Sequence, residues 1–348
     1  MAALLEAKRL TKVFGGGLFD RNPTVALEDF SFAVDSDRPS ITAVVGESGS
    51  GKTTLARLLL GLVTPTRGQV LYQGRDLRTM GQAQWRAFLH DVQVIFQDPY
   101  EVYNPFYRVD HVLTTPVAKF KLAPTRAAAR AVIEEALKAV GLRPEETLGR
   151  FPHQLSGGQR QRVMVARALL LKPRLILADE PVSMVDASLR ATILSSLSKM
   201  NLERGISIIY ITHDLATAYQ ISQNIVVLYR GSVAEVGDVE RVVKRPQHPY
   251  TQLLISSIPL ASAERTWTTE NAGPPAGPQA AGTAGCKFAD RCPSVMGACL
   301  EAAPPLFRTD GCRAVACYLH QGAPALSAEE MGKVFGEPAE TTPGRAPS

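Results

Sequence analysis

The sequence has few cysteines, and all five lie in one short window near the C-terminus: Cys286, Cys292, Cys299, Cys312 and Cys317. The N-terminus lacks an apolar stretch of secretory length, and its basic residues follow the short apolar run instead of preceding it. Because disulfide frameworks belong to secreted proteins, a cysteine cluster without such a signal favours metal binding. We therefore expect a cytosolic protein with a metal site near its C-terminus.

Long apolar runs are also absent. The longest, such as LLLGLV at residues 58–63, stop far short of the roughly 18 to 20 residues that span a bilayer. A hydrophobic fraction of 45% and a charged fraction of 20% are typical of globular proteins. The net charge of +5 suits an anionic ligand, a nucleic acid or a lipid surface equally well. Any membrane role is expected to be peripheral.

Three continuous apolar runs predict strands of a parallel sheet that is covered on both faces. They are ITAVV at 41–45, LILA at 175–178 and ISIIYIT at 206–212. Residues 79–171 read mostly as helix, and Thr125 and Gly141 are the predicted cap and stop of one helix. NIVVLYRGSVAEVG predicts a hairpin that turns at Arg230 and Gly231, and HPYTQLLISSI predicts a helix. The pattern indicates an α/β fold with a helical insertion.

The stretch GESGSGKT, residues 46–53, lies between the first strand and leucines at helical spacing. Its glycines let backbone N–H groups close around phosphate oxygens, Lys52 adds positive charge and Thr53 can ligate Mg²⁺. An ordinary Gly/Ser turn would not require the flanking strand and helix. The predicted nucleotide-binding residues are Gly46, Ser48, Gly49, Ser50, Gly51, Lys52, Thr53 and Thr54.

Acidic residues end the second strand, at the sheet edge where parallel strands bind ligands. An aspartate at position 179 can hold Mg²⁺, and Glu180 can accept a proton from an attacking water. The alternative is a solvated acidic pair, which the phosphate loop makes the weaker interpretation. His213, which ends the third strand, and Gln97, in VIFQDP, are not diagnostic by themselves.

A second phosphate-binding pattern occurs in QLSGGQRQR at residues 154–162. Its serine and two glycines precede a basic helical stretch, which makes an anion-binding helix start. The residues concerned are Ser156, Gly157, Gly158 and Gln159.

In chain order, GESGSGKTT, VIFQDP, LSGGQRQRVMVARAL, LILADEP, SMVD and ITHD resemble the ATP-binding subunits of ABC transporters across about 250 residues. The resemblance implies a P-loop NTPase fold of the ABC ATPase type with a helical subdomain, and ATP and Mg²⁺ as cofactors. In this family two ATPase domains bind head to tail, so that the LSGGQ signature of one closes on the ATP held by the other. That arrangement explains why one chain carries two phosphate-binding patterns.

The resemblance also implies a role for each metal and phosphate residue. Lys52 and Thr53 would bind phosphates and Mg²⁺, and Asp179 would support the Mg²⁺ ion. Gln97 would contact the metal or a water molecule and report to the membrane subunits, and Glu180 would be the general base.

Three further roles follow from the same resemblance. His213 would contact the γ-phosphate, Asp186 would cross the dimer interface, and Phe14 would stack on adenine. Phe19, or core packing of Phe14, is the competing interpretation of the aromatic position. SDRPS at 36–40 and SMVD depart from the family pattern, but neither touches a phosphate ligand, so we expect an active ATPase.

Within the family, FQDPYEVYNPFYRV, FPHQLSGGQRQRV and RPQHPYTQLLISSIP resemble the ATPase subunits of dipeptide and oligopeptide importers. GCKFADRCP and VACYLH resemble their C-terminal cysteine region. There Cys286, Cys292, Cys299 and Cys317 match the pattern, which in some relatives holds an iron–sulfur cluster, whereas Cys312 is off the pattern. Spacing alone leaves a cluster, zinc and free thiols open. The resemblance favours a [4Fe–4S] cluster over zinc.

The expected organisation has four parts. An ABC ATPase domain over 1–260 contains a helical subdomain at about 79–171. A linker over 261–285 follows, and its residues 273–285 are almost all Gly, Pro and Ala. A cysteine-rich segment over 286–321 and a poorly ordered tail over 322–348 complete the chain. The resemblance implies a second ATPase subunit, expected to be a paralogue, two membrane permease subunits and an extracytoplasmic substrate-binding protein. We expect the chain at the cytoplasmic face of the membrane.

Two other functions compete with this one. A soluble ABC-type ATPase that acts on ribosomes or nucleic acid typically has two cassettes or a long coiled coil, whereas this chain has one phosphate loop, one signature and no sustained heptads. A regulatory subunit that binds ATP without turnover predicts degenerate motifs, whereas Lys52, Glu180 and His213 are all present. We therefore expect an ATPase coupled to peptide import, without a nucleic-acid partner.

Overall fold

The protein is described by a computed structural model over residues 3–15, 23–97, 103–183, 185–257 and 284–335. The chain divides into two compact units. Unit 1 comprises Met1–Leu5, Val34–Thr42 and Tyr72–Thr212, and unit 2 comprises Glu6–Ala33, Ala43–Leu71 and His213–Ser348.

The strands of the described residues, in chain order, are β1 (Ala3–Phe14), β2 (Thr24–Asp35), β3 (Ile41–Val45), β4 (Arg67–Tyr72), β5 (Arg75–Asp76), β6 (Val92–Ile95), β7 (Leu175–Asp179), β8 (Ser207–Thr212), β9 (Asn224–Tyr229), β10 (Ser232–Asp238), β11 (Leu306–Asp310), β12 (Arg313–Val315) and β13 (Ala325–Leu326). The predicted strands at 41–45, 175–178 and 206–212 are thereby confirmed.

The α-helices are α1 (Lys52–Leu59), α2 (Gln82–Asp91), α3 (Asp110–Phe120), α4 (Arg126–Ala139), α5 (Pro144–Thr147), α6 (Gly157–Leu170), α7 (Ala187–Arg204), α8 (Leu215–Ile221), α9 (Val239–Lys244), α10 (Pro249–Ser256) and α11 (Gly297–Glu301). Short 3-10 helices lie at Leu77–Thr79, Pro152–Gln154, Ala289–Arg291, Tyr318–His320 and Ala328–Val334.

Unit 1 contains a parallel arrangement of β6, β7 and β8. Ile95 pairs with Ala178, and Asp179 at the end of β7 pairs with Ile211. Every residue of β7 and β8 is buried, as expected for strands covered on both faces. The register brings the carboxyl ends of these strands to one edge, where the predicted catalytic residues follow.

Five helices, α2 to α6, occupy most of the region predicted to be helical, and β6 interrupts them. Thr125 caps α4 by accepting a hydrogen bond from the N–H of Ala128 at 3.1 Å. Gly141 follows the helix with φ at 70°, a conformation that glycine adopts without strain. The predicted cap and stop are both confirmed.

Unit 2 contains the predicted hairpin of β9 and β10. Its turn is at Arg230 and Gly231, whose φ angles of 44° and 80° are those of a turn that matches strand twist. β12 pairs antiparallel with the outer side of β10, β11 pairs with β12, and β13 pairs with β11. The cysteine-rich segment is therefore not a separate body, because its strands extend the same sheet.

The expectation of a poorly ordered tail from Gly322 is wrong for residues 322–335. β13 and the 3-10 helix Ala328–Val334 lie there, and Met331 and Val334 are 1% and 0% exposed. The ring of Phe335 packs edge-to-face against Phe32, with centroids 5.5 Å apart. The prediction used the average composition of the segment, in which these few apolar residues are outnumbered by Ala, Pro and Glu. Most of the predicted linker, and residues 336–348, lie outside the described residues.

A buried polar pair anchors α10 in unit 2. Glu235 is 0% exposed and accepts hydrogen bonds from the backbone N–H groups of Gln247 at 3.1 Å and His248 at 3.0 Å. His248 caps α10, because its Nδ1 accepts a bond from the N–H of Tyr250 at 3.0 Å. Burial lowers the pKa of His248 to about 4. The ring therefore stays neutral in the folded protein.

This burial predicts acid sensitivity. Because the folded pKa of about 4 lies below the ordinary value of 6.5, the unfolded chain takes up the proton first as the pH falls. We expect up to about 3 kcal/mol of unfolding free energy to be lost as the pH falls from the unfolded pKa of 6.5 to the folded pKa of about 4. His248→Asn keeps a capping acceptor that does not titrate, so urea unfolding followed from about pH 7.5 to about pH 4.5 should show a shallower pH dependence. Equal dependence in both proteins would contradict this account.

Candidate functional site

The phosphate loop of unit 2 lies between the end of β3 and the start of α1. Gly46 and Gly51 have φ angles of 153° and 103°. A Cβ on Gly46 would lie 2.1 Å from the Leu228 carbonyl oxygen, and one on Gly51 would lie 2.4 Å from that of Ala26. Backbone conformation and close packing therefore both require glycine at these two positions.

Lys52 lies inside the loop that it follows. Its Nζ donates to the carbonyl oxygens of Gly46 at 2.7 Å and Glu47 at 2.9 Å, and lies 3.4 Å from Oγ of Ser50. The residue is 6% exposed, so these oxygens replace most of its hydration. Together with the N-terminal N–H groups of α1, this ammonium makes a site for an anion. Thr53, in the first turn, is exposed.

Unit 1 brings two predicted catalytic residues together. Nε2 of Gln97 donates to Oε2 of Glu180 at 3.1 Å. Glu180 has a left-handed backbone, with φ at 46°, and its N–H donates to the Ile211 carbonyl at 2.8 Å. Oγ of Ser183 donates to the Glu180 carbonyl at 3.0 Å. A strained backbone that its neighbours fix on both sides is typical of functional positions.

The predicted Mg²⁺ ligands have the chemistry that this ion prefers. Asp179 ends β7 and is 6% exposed, so its carboxylate lies at the predicted edge of the sheet but with little contact to bulk water. The Thr53 hydroxyl, the Gln97 amide oxygen and the Asp179 carboxylate are all hard oxygen donors. Because Nε2 of Gln97 is bonded to Glu180, Oε1 is the amide atom suited to a cation. Each of these three side chains, taken by itself, therefore suits Mg²⁺.

The signature in unit 1 forms a capped helix start. The N–H of Gln159 donates to Oγ of Ser156 at 3.2 Å, and the N–H of Ser156 donates to Oε1 of Gln159 at 2.9 Å. This reciprocal capping fixes the first turn of α6 and leaves the Ser156 O–H to donate. A Cβ on Gly158 would lie 2.4 Å from Cδ1 of Leu189. The predicted helix start is confirmed, and Gly157 is its first residue, whereas anion binding there stays a prediction.

Basic residues behind the signature are structural. Arg160 is 8% exposed, and its Nη1 donates to the carbonyls of Pro152 at 2.9 Å and Leu155 at 3.0 Å. Arg162 donates to the Gly141 carbonyl at 2.9 Å. These bonds hold the segment before α6 and the end of α4 against the helix.

The remaining predicted positions are exposed. His213 directly follows β8, and Asp186 occupies the N-cap position of α7 without a side-chain capping bond. Phe14, at the end of β1, is 43% exposed, and Nζ of Lys12 lies 5.0 Å from its ring centroid. The alternative interpretation, in which Phe14 packs in the core, is therefore wrong. Phe19, the other candidate for the aromatic position, lies outside the described residues.

The four pattern cysteines influence one another, but they do not form a recognisable ligand set. Burial, and then the neighbouring thiols of Cys299 and Cys292, raise the pKa of Cys286. Burial, followed by the thiols of Cys292, Cys286 and Cys299, raises the pKa of Cys317 to about 11. Among the described residues, however, no three Cys, His, Asp or Glu side chains form a group that could hold a metal ion. The expectation of an iron–sulfur cluster is therefore not supported by this geometry.

Two contacts of the phosphate loop were not predicted. The hydroxyl of Tyr250 accepts the N–H of Glu47 at 2.8 Å, and Arg291 forms an ion pair with the Glu47 carboxylate. Glu47 and Arg291 are 244 positions apart, so no local pattern indicates the pair. The partial signal was the position of Arg291 beside Cys292, inside a segment that resembled a family feature.

In the part of the chain that is described, no helix combines the length and apolar character needed to cross a membrane.

Residues 27–183 match the family described as ABC transporter, and residues 234–299 match the C-terminal region of oligopeptide/dipeptide transporters.

Relatives and solved structures agree with these matches. A probable peptide ABC transporter ATP-binding protein, y4tS of Sinorhizobium fredii, is 40% identical over 94% of this chain and 92% of its own. The oligopeptide transport ATP-binding protein OppF of Escherichia coli is 38% identical over 76% of this chain and 79% of its own. The dimeric post-hydrolysis structure of the ATP-binding cassette MJ0796, bound to ADP and Pi, aligns with a TM-score of 0.60 and 28% identity over 68% of this chain and 98% of its own. The chain therefore belongs to the ATP-binding proteins of the ABC transporter family.

Proposed function

We propose that this protein hydrolyses ATP to drive a membrane importer of dipeptides or oligopeptides. The C-terminal match over residues 234–299 carries the peptide assignment, because it distinguishes the oligopeptide/dipeptide transporters from other members of the family. The names of y4tS and OppF support the same cargo class. The phosphate loop around Lys52 and the contact of Gln97 with Glu180 support the ATPase assignment.

In the proposed reaction, phosphate oxygens of ATP bind the N–H groups at the start of α1 and the ammonium of Lys52. Mg²⁺, held by Thr53, Gln97 and Asp179, would neutralise phosphate charge. Glu180 accepts a proton from water as the water oxygen bonds to the γ-phosphorus, and the bond from that phosphorus to the β,γ-bridging oxygen breaks to release ADP. Gln97 orients the Glu180 carboxylate, and His213 contacts the γ-phosphate.

Each ATP would lie between two ATPase chains. The capped start of α6, with Ser156, Gly157, Gly158 and Gln159, would bind the γ-phosphate of a nucleotide held by the partner's phosphate loop. The dimeric state of MJ0796 supports this arrangement. Asp186 would lie at the interface, and Phe14 would stack on adenine. ATP binding would close the dimer, and hydrolysis would reopen it.

Replacing Glu180 tests the assignment of the base. Glu180→Gln keeps the size of the side chain but cannot take a proton, so we expect hydrolysis to fall by roughly 10²-fold or more while ATP still binds. Phosphate release and ATP binding should be measured on the same preparation. Glu203→Gln is the matched control, because Glu203 is exposed near the end of α7. Full turnover by Glu180→Gln would show that the base is another residue.

The proposed partners are a second ATPase chain, which would be a paralogue, two permease subunits and a substrate-binding protein at the far side of the membrane. The protein would then act at the cytoplasmic face.

Affinity purification from detergent-solubilised membranes of the source cell tests this assembly. We expect two hydrophobic permeases, and a second ATPase chain, to copurify with the protein. A peptide in the accompanying binding protein would establish the cargo class. Recovery with ribosomes or nucleic acid, in the absence of permeases, would instead establish the soluble ATPase alternative.

A finer proposal concerns the cysteines: we propose that Cys286, Cys292, Cys299 and Cys317 gather around a [4Fe–4S] cluster in the native protein. The N–H of Cys286 donates to the Cys299 carbonyl oxygen at 2.7 Å, which supports proximity of these two residues, whereas the described residues contain no group of three side chains that could hold a metal ion. Anaerobically purified protein should contain iron and acid-labile sulfide, and Cys299→Ser should lose both, whereas Cys312→Ser should keep both. Zinc in their place, or no metal, would overturn this proposal and leave the ATPase assignment intact.

A further inference from the structure

The loop at residues 286–292, in the cysteine-rich segment, contacts the phosphate loop directly. Nη1 of Arg291 donates to Oε2 of Glu47 at 3.0 Å, and Nη2 donates to Oε1 at 3.1 Å. Glu47 is the second residue of GESGSGKT. A two-point pair fixes the orientation of the carboxylate as well as its charge.

Glu47 is held at three places. Its N–H donates to the hydroxyl of Tyr250 at 2.8 Å, its carbonyl accepts Nζ of Lys52 at 2.9 Å, and its carboxylate binds Arg291. Because Lys52 is the phosphate-binding cation, the position of the Glu47 carbonyl helps to set where that cation rests. Arg291 therefore acts on Lys52 through a single intervening residue.

An aromatic cluster supports the arginine. Tyr250 and Phe288 are 0% and 2% exposed, and the Tyr229 ring centroid lies 4.5 Å from that of Tyr250 and 5.2 Å from that of Phe288. Cζ of Arg291 lies 5.7 Å from the Phe288 centroid. The buried rings restrict the guanidinium to a face from which it can reach Glu47.

The same loop has a second attachment, at the hairpin turn. Nζ of Lys287 contacts the Glu28 carboxylate at 2.7 Å and the Arg230 carbonyl at 2.9 Å, and Arg230 forms an ion pair with Asp290 at 3.0 Å. The adjacent Gly231 donates its N–H to the Ser50 carbonyl at 2.9 Å. The 286–292 loop therefore reaches the phosphate loop directly through Glu47 and indirectly through this turn.

We propose that the 286–292 loop is a strut that holds the phosphate loop in its nucleotide-binding conformation, with Arg291 as the positioning residue that acts through Glu47. This proposal rests on the proposed function only in requiring that the phosphate loop binds ATP. In this proposal Arg291 acts through Glu47 and not by contact with the nucleotide. The Arg291 and Glu47 side chains are 24% and 42% exposed, so solvent screens the pair in part and the expected effect is moderate.

Nucleotide affinity of the full chain tests the strut. We expect Arg291→Ala to raise the Kd and the KM for ATP by roughly fivefold to twentyfold, with kcat at saturating ATP within about twofold of the wild type. Arg291→Lys keeps the charge but loses the two-point geometry, so its Kd should lie between those of Arg291→Ala and the wild type. Combining Glu47→Gln with Arg291→Ala should weaken binding no further than Arg291→Ala alone, because both changes remove one contact.

Arg308→Ala is the matched control, since Arg308 lies in the same segment and donates to the Gly311 carbonyl at 2.9 Å, away from the phosphate loop. Its Kd for ATP should equal that of the wild type. Wild-type affinity in Arg291→Ala, or additive losses in the double variant, would overturn the strut. Failure of the wild type itself to bind ATP would overturn the proposed function instead. If Arg291→Ala does not fold, the affinities of Arg291→Lys and Glu47→Gln for ATP test the proposal in its place. The unfolding midpoint of each variant, measured without ATP, then shows whether the variant is folded.

Discussion

A buried ammonium inside a glycine-rich loop is the constraint on which the rest of this protein depends. Lys52 lies against the carbonyls of Gly46 and Glu47 and has little access to water. The oxygens must remain where they are, because a displaced loop would leave the charge poorly solvated. Close contacts of the loop with Leu228 and Ala26 enforce its path from outside. The hydrogen bonds of Lys52 and the close packing against Leu228 and Ala26 therefore together fix the conformation of the loop.

Much of the fold followed from local patterns. The strands at 41–45, 175–178 and 206–212, the hairpin at Arg230 and Gly231, and the helix capped by Thr125 all lie where periodicity and turn chemistry placed them. Apolar runs, helix caps and turn residues are signals within a few positions of one another, so the sequence is sufficient to find these elements. Residues 322–335 do not form the predicted tail, because Met331 and Val334 are buried and Phe335 packs against Phe32 of β2, which composition does not encode.

Some features of the candidate site could likewise be predicted from the sequence, and others could not. Motif residues such as Glu180 were predictable from position at a strand end, but its left-handed backbone and its bond to Gln97 were not. The ion pair of Glu47 and Arg291 joins residues 244 positions apart, and only the folded chain makes it visible. The cysteines are the opposite case: their pattern was plain in the sequence, whereas their arrangement does not match the ligand geometry that the pattern implied.

The pairing of β12 with β10 has a practical consequence for work with shortened forms of the protein. A chain cut within residues 258–283 would lose β11 to β13, and the side of β10 that now pairs from Glu235 to Gly237 would present unsatisfied N–H and C=O groups. Exposed sheet edges of this kind recruit strands from other molecules. Aggregation of a truncated form would then result from the exposed edge of β10. It would not be evidence about nucleotide binding by the full chain.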